Sequence, residues 1–146
     1  MTPDNLKKAT QDQEVLLACK VLLAAMAYEE VLSEKILPKQ AEILRNLAFK
    51  SKEGEIIDSP KKSYLLSDND FKIYWKIMNE YYDSLGLQRP TQDYCPLLMA
   101  QSRKREAERT LLQSMQKYTG LDIRNMLPKH RDAYLEITLK LIAPFI

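Results

Sequence analysis

Glycine is scarce: 146 residues hold three, Gly54, Gly86 and Gly120. Phosphate-cradling loops, dinucleotide fingerprints and the strained nucleophile turn of serine hydrolases all need closely spaced glycines. Three scattered ones exclude them. Histidine is scarcer still. His130 stands alone, with Leu127 rather than a glutamate three positions before it. The paired Glu-x-x-His elements of a carboxylate-bridged di-iron bundle are therefore missing. Glu29 and Glu30 are neighbours and point in different directions from one helix. No metal and no other cofactor is expected.

Cysteine is also sparse. Cys19 and Cys95 are too few for the disulfide framework of a small secreted domain, and both are expected as reduced thiols within helices. Cys95 falls near a helix start, where the dipole can activate a thiol, so it is the one candidate reactive thiol. It has no neighbouring histidine or resolving cysteine. No apolar run is long enough for a membrane. The longest, Val15–Tyr28 (VLLACKVLLAAMAY), has fourteen residues with Lys20 among them, against roughly 20 for a span. It follows a mixed-charge segment, has no small-residue cleavage site behind it, and runs on into Glu29, Glu30 and Glu34. The expected compartment is the cytoplasm, with no membrane partner.

A large excess of either charge is absent too. The net charge is +2. Residues 93–146 hold nine Lys/Arg against six Asp/Glu, leaving +3 there and −1 for the rest. That falls short of a dedicated nucleic-acid binder. Two features nevertheless point that way. Arg103, Lys104, Arg105 and Arg109 put four cations over two helical turns, diluted by Glu106 and Glu108. Then Thr119-Gly120-Leu121 and a short helix from Asp122 to Leu127 have the outline of a helix-turn-helix. That outline would present Arg124, Lys129 and Arg131 to DNA.

What the chain does have is apolar helical surface: 45% hydrophobic residues with 29% charged. This is enough for one core, and a single helical domain over 1–146 is expected. Each glycine follows a helix-like segment, and the prolines fall near segment edges. The spacing predicts an all-α bundle of five to six helices. The first is long and nearly all apolar, from about Asp12 to Ile36, capped by Thr10 or Asp12. Pro38 opens a second, ending near Lys50 with Ile43, Leu47 and Phe49 inward. Residues 51–66 are irregular, with a marginal β-hairpin around 55–66 or a plain loop. A third helix, capped by Ser67 or Asp68 and ending near Leu85, carries Phe71, Tyr74, Trp75, Met78, Tyr81 and Tyr82 at three- and four-residue steps and should be mostly buried. A fourth runs from about Thr91–Cys95 to Tyr118, with Pro96 in its first turn. Only Ala100 and Ala107 stand on the apolar side of its middle, so a neighbour approaches closely there or the section projects into solvent. The last helix runs from Pro128 to about Ile142, and the apolar tail Ala-Pro-Phe-Ile should dock.

A helix apolar all round must be covered all round. With the third and last helices also rich in apolar surface, one chain has difficulty hiding all three. The expected function is therefore a non-enzymatic helical domain that binds protein and self-associates as a homodimer. Trp75, Tyr81, Tyr82, Phe145 and Ile146 are candidate interface anchors. The alternative is a nucleic-acid-associated regulator acting through residues 103–131. If the first helix is central, Lys20 must reach water or an acid.

Overall fold

The computed structural model describes residues 2–146. The fold is all-α, as the spacing predicts, with five α-helices among the described residues. These are α1 (Pro3–Gln11), α2 (Gln13–Leu47), α3 (Asp68–Ser84), α4 (Pro96–Thr119) and α5 (Pro128–Ile142). Among the described residues no helix is long and apolar enough to cross a membrane. The chain divides into two compact units, one built from the segments up to Glu29 and from Ala100 to Ile146, the other from Glu30 to Met99.

The long helix starts after the Asp12 cap as expected, but a further helix precedes it. Thr2 accepts a hydrogen bond from the Asn5 N–H and Pro3 occupies the first helical position, so a separate helix α1 begins there. Asp12 is its C-terminal boundary, and its carboxylate then caps α2, accepting from the N–H groups of Glu14 at 2.9 Å and Val15 at 3.4 Å. Pro38 was expected to open a new helix, yet α2 runs through it to Leu47. The proline ring fits helical φ and withholds one donor. Pro38 and Glu34 are both exposed, so water can take the Glu34 carbonyl that Pro38 leaves. The helix stops at Ala48, which adopts the left-handed conformation (φ 48°) usually left to glycine.

In the first unit the core is formed by Val15, Ala18, Cys19 and Leu22 of α2, Leu111, Leu112 and Met115 of α4, and Tyr134 and Ile142 of α5. Ion pairs set the direction of α4 against α2. Lys117 lies 2.8 Å from Asp12 and 3.8 Å from Glu14, whereas Lys104 lies 3.7 Å from Glu29. The two helices run antiparallel here.

The second unit is closed by a narrower face of α3 than expected. Ser67 caps the helix as predicted. Only Tyr74, Met78 and Tyr82 are buried, one per turn, while Phe71 and Ile73 are exposed. Leu32, Ile36, Ile43, Leu44, Phe49 and Ile57 complete that interior. Leu44 takes the inward place expected of Leu47, which is exposed. The end of α3 is a left-handed Gly86 (φ 69°), with Leu87 N–H bonded to the Tyr82 carbonyl, which satisfies the last turn.

Between α2 and α3 there is no hairpin. Lys50 and Ile56 form one isolated antiparallel bridge, and Tyr64–Leu66, strand-like in sequence, ends a 3-10 turn over Pro60–Leu65. Ser59 accepts from the Lys61 N–H and Pro60 fixes the first φ. Local capping thus outweighs the pairing of two short apolar pieces.

Candidate functional site

Along Val15–Tyr28 the buried positions are Val15, Ala18, Cys19 and Leu22. At 100° per residue the opposite arc holds Leu17, Val21, Ala24 and Tyr28, which are all exposed: Leu17 by 62%, Val21 by 52% and Tyr28 by 49%. The expectation that this helix is covered all round fails within one chain. One apolar stripe, stepping by four, three and four residues, faces solvent. Lys20 lies exposed beside it, so its ammonium reaches water as the sequence requires.

The stripe borders a groove of about 500 Å³ between α2 and α4. Ala18 and Ala107, both nearly buried, are among its lining with Ala25. Leu17 and Val21 stand on the α2 side, and Arg103, Glu106 and Thr110 on the α4 side, with Glu14 at one end. The small side chains keep the groove open because each alanine removes what a larger residue would fill. Ala107 had two readings in the sequence, close approach or projection into solvent. The first holds: Ala107 is buried, 7% exposed, where α4 packs on α2.

A second apolar hollow of about 650 Å³ lies among α1, α4 and α5, lined by Leu6, Leu121, Tyr134, Ile137 and Leu141. Its polar wall includes Thr119 and Tyr134, whose hydroxyls lie 2.8 Å apart. It carries no charged side chain, and so lacks the recognition groups present at the α2–α4 groove.

The predicted interface aromatics divide. Tyr82 is 1% exposed and belongs to the core, a correction that follows from its place one turn beyond Met78. Burial pushes its phenol, and that of Tyr74, up to about 12. Tyr81 is half-buried and donates its hydroxyl to the Lys35 carbonyl at 3.0 Å, with the Lys39 ammonium over its ring. It is thus engaged within the second unit. Trp75 is half-buried, edge-on to Phe71 and Tyr74. Its indole N–H and the Asn79 carbonyl oxygen are buried with no partner among the described residues. Phe145 and Ile146 remain 58% and 46% exposed, so the expected docking of the tail does not occur within the chain.

The predicted nucleic-acid residues do not converge. Arg103 lines the groove, Lys104 pairs with Glu29, and Arg105 and Arg109 are exposed one turn apart. Arg105 lies about 200° around the helix from Arg103. The helix-turn-helix outline fails because the segment after Asp122 is a three-residue 3-10 turn, Ile123–Asn125, too short to read a groove. The Arg124 guanidinium is held by the Asp122 carboxylate at 2.7 and 3.0 Å. Lys129 is exposed, whereas the Arg131 Nε is buried without a partner among the described residues.

Chemistry finds little purchase. Among the described residues no cluster of histidine, cysteine and carboxylate could hold a metal ion. Cys95 is half-buried at the boundary just before α4, near the helix start as expected, its carbonyl accepting from the Met99 N–H at 2.9 Å. Cys19 is buried, and that burial pushes its thiol up. Comparison with protein-family models, curated proteins and solved structures returned no match to this chain.

Proposed function

We propose that this protein is a non-enzymatic, cytoplasmic helical domain that binds protein, and that its partner is a second copy of itself. The exposed stripe Leu17, Val21, Ala24 and Tyr28 carries the reading. Surface leucines and tyrosines are ordinary one at a time, but a contiguous apolar face beside an apolar groove marks an interaction site. Leu17, Val21 and Tyr28 are about half exposed, so covering each gains about 1 kcal/mol, and a two-fold contact counts each twice. Free thiols at Cys19 and Cys95 suit a reducing compartment.

Two differently tagged copies expressed together test the reading, with and without nuclease. The exposed stripe predicts that each copy recovers the other under both conditions, and that Val21→Glu in both abolishes recovery. Copies that fail to recover each other overturn it. Recovery that vanishes on nuclease treatment favours the nucleic-acid reading instead, because phosphate contacts would then hold the copies together.

A further inference from the structure

Self-association alone leaves the arrangement of the two copies open, and charges on the groove narrow it. Glu14 marks one end and lies seven residues before Val21 on α2. The ion pairs Lys117–Glu14 and Lys104–Glu29 fix the antiparallel register of α4, and in that register Arg103 stands about level with Glu29. Arg103 therefore lies about eight residues beyond Val21 on the other side, against seven for Glu14. At 1.5 Å per residue, acid and base stand about 10–12 Å from Val21, in opposite directions.

Resting on the self-association reading, we infer that two copies pair through this groove with their α2 helices antiparallel, about a two-fold axis crossing α2 at Val21, so that Glu14 of each copy meets Arg103 of the other. A two-fold contact requires a surface complementary to itself. An acid and a base nearly equidistant from one point on an apolar strip meet that requirement, and the axis forms the ion pair twice. A parallel pairing sets Glu14 against Glu14 and Arg103 against Arg103. Like charges so placed are costly. Glu106, the third charge on the groove, stands about level with Ala25, and the same rotation brings it near Leu17 rather than near its own copy. Both pairing residues stand at the surface: Arg103 is exposed, and the Glu14 side chain is 72% exposed, its 3.8 Å contact with Lys117 lying within its own copy.

Charge reversal tests this, with dimer dissociation constants read by sedimentation equilibrium. Glu14→Lys alone and Arg103→Glu alone should each weaken the dimer about tenfold, through two like-charge contacts apiece. Mixing the two variant chains restores affinity, because the two reversed ends then meet each other as opposite charges and the two unreversed ends pair as in the unmodified dimer. That rescue also shows both variants are folded. In a background lacking Cys19 and Cys95, Val21→Cys should cross-link to itself under oxidation and Leu17→Cys should not. A dimer indifferent to all three charge combinations, or one that cross-links through Leu17→Cys, overturns the antiparallel geometry and leaves self-association standing. An unmodified chain that never dimerises overturns both.

Discussion

Replacing Asp12 by asparagine removes one charge from the junction that joins α1, α2 and α4. One carboxylate oxygen caps α2, and the other accepts the Tyr118 hydroxyl and faces the Lys117 ammonium at 2.8 Å. Asn5 adds a bond to the Tyr118 carbonyl at 3.1 Å. Asparagine preserves the cap, since its amide oxygen accepts equally well. It replaces the second oxygen by an amide N–H that repels the Lys117 ammonium and leaves only the Tyr118 hydroxyl to accept from it, and a hydrogen bond to a charged group is worth about 1.5–3 kcal/mol. Asp12→Asn should therefore cost about 2 kcal/mol, and Asp12→Ala about 1 kcal/mol more through loss of the cap. For a chain of this size 2 kcal/mol lowers Tm by roughly 4–8 °C.

The pH dependence follows from the same contacts. Lys117 first, then Tyr118, hold the Asp12 carboxyl far below the usual carboxylate range. A depressed carboxyl stabilises the fold above its unfolded pKa of about 3.9 and loses that contribution as pH falls toward the native value. Urea unfolding followed by circular dichroism, at fixed chain concentration, should show a constant gap between unmodified protein and Asp12→Asn from pH 5 to 8. By pH 3 the gap should shrink by about 1 kcal/mol. Equal stabilities at pH 7, or a gap that does not narrow in acid, would refute the assignment of Asp12 as a charged tie.

Trp75→Phe should leave stability within about 0.5 kcal/mol, because the indole N–H has no bond to lose, and Asn79→Leu should raise Tm by removing an unpartnered buried acceptor; a large loss in either variant shows these atoms are in fact satisfied. Tyr74 and Tyr82 ionise only at about 12, whereas unfolded phenols ionise near 10. Stability should thus fall as pH rises from about 10 to 12, and Tyr82→Phe should flatten that fall; an unchanged slope counts against it. In the native protein Cys95 should alkylate before Cys19, since Cys19 is buried and its thiol is pushed up. The reverse order, read by mass spectrometry of peptides, contradicts that burial.

Much of the fold could be read residue by residue. Helix α5 runs between Pro128 and Ile142, and α3 begins at the Ser67 cap, because proline, serine and glycine act locally and leave marks a sequence displays. Pro38 misled for a physical reason: its effect depends on whether the carbonyl it deprives is wet, which is a tertiary fact. The Thr2-Pro3-Asp4 start of α1 is capping chemistry that the sequence displays. The exposed apolar stripe was least legible. In Val15–Tyr28 nearly every position is apolar, so periodicity cannot separate the face that packs from the face that does not. Ala107, on the α4 side of the groove, was the usable signal. Tyr82 shows the converse, since a row of aromatics does not reveal which one the core takes.

The account stands most directly on the mass of the unmodified protein in solution, measured by light scattering at micromolar concentration behind a sizing column. Burial of the Leu17–Tyr28 face by a second copy predicts twice the chain mass of 17.0 kDa, falling toward one chain on dilution and in Val21→Glu. A single species at 17.0 kDa throughout would contradict it.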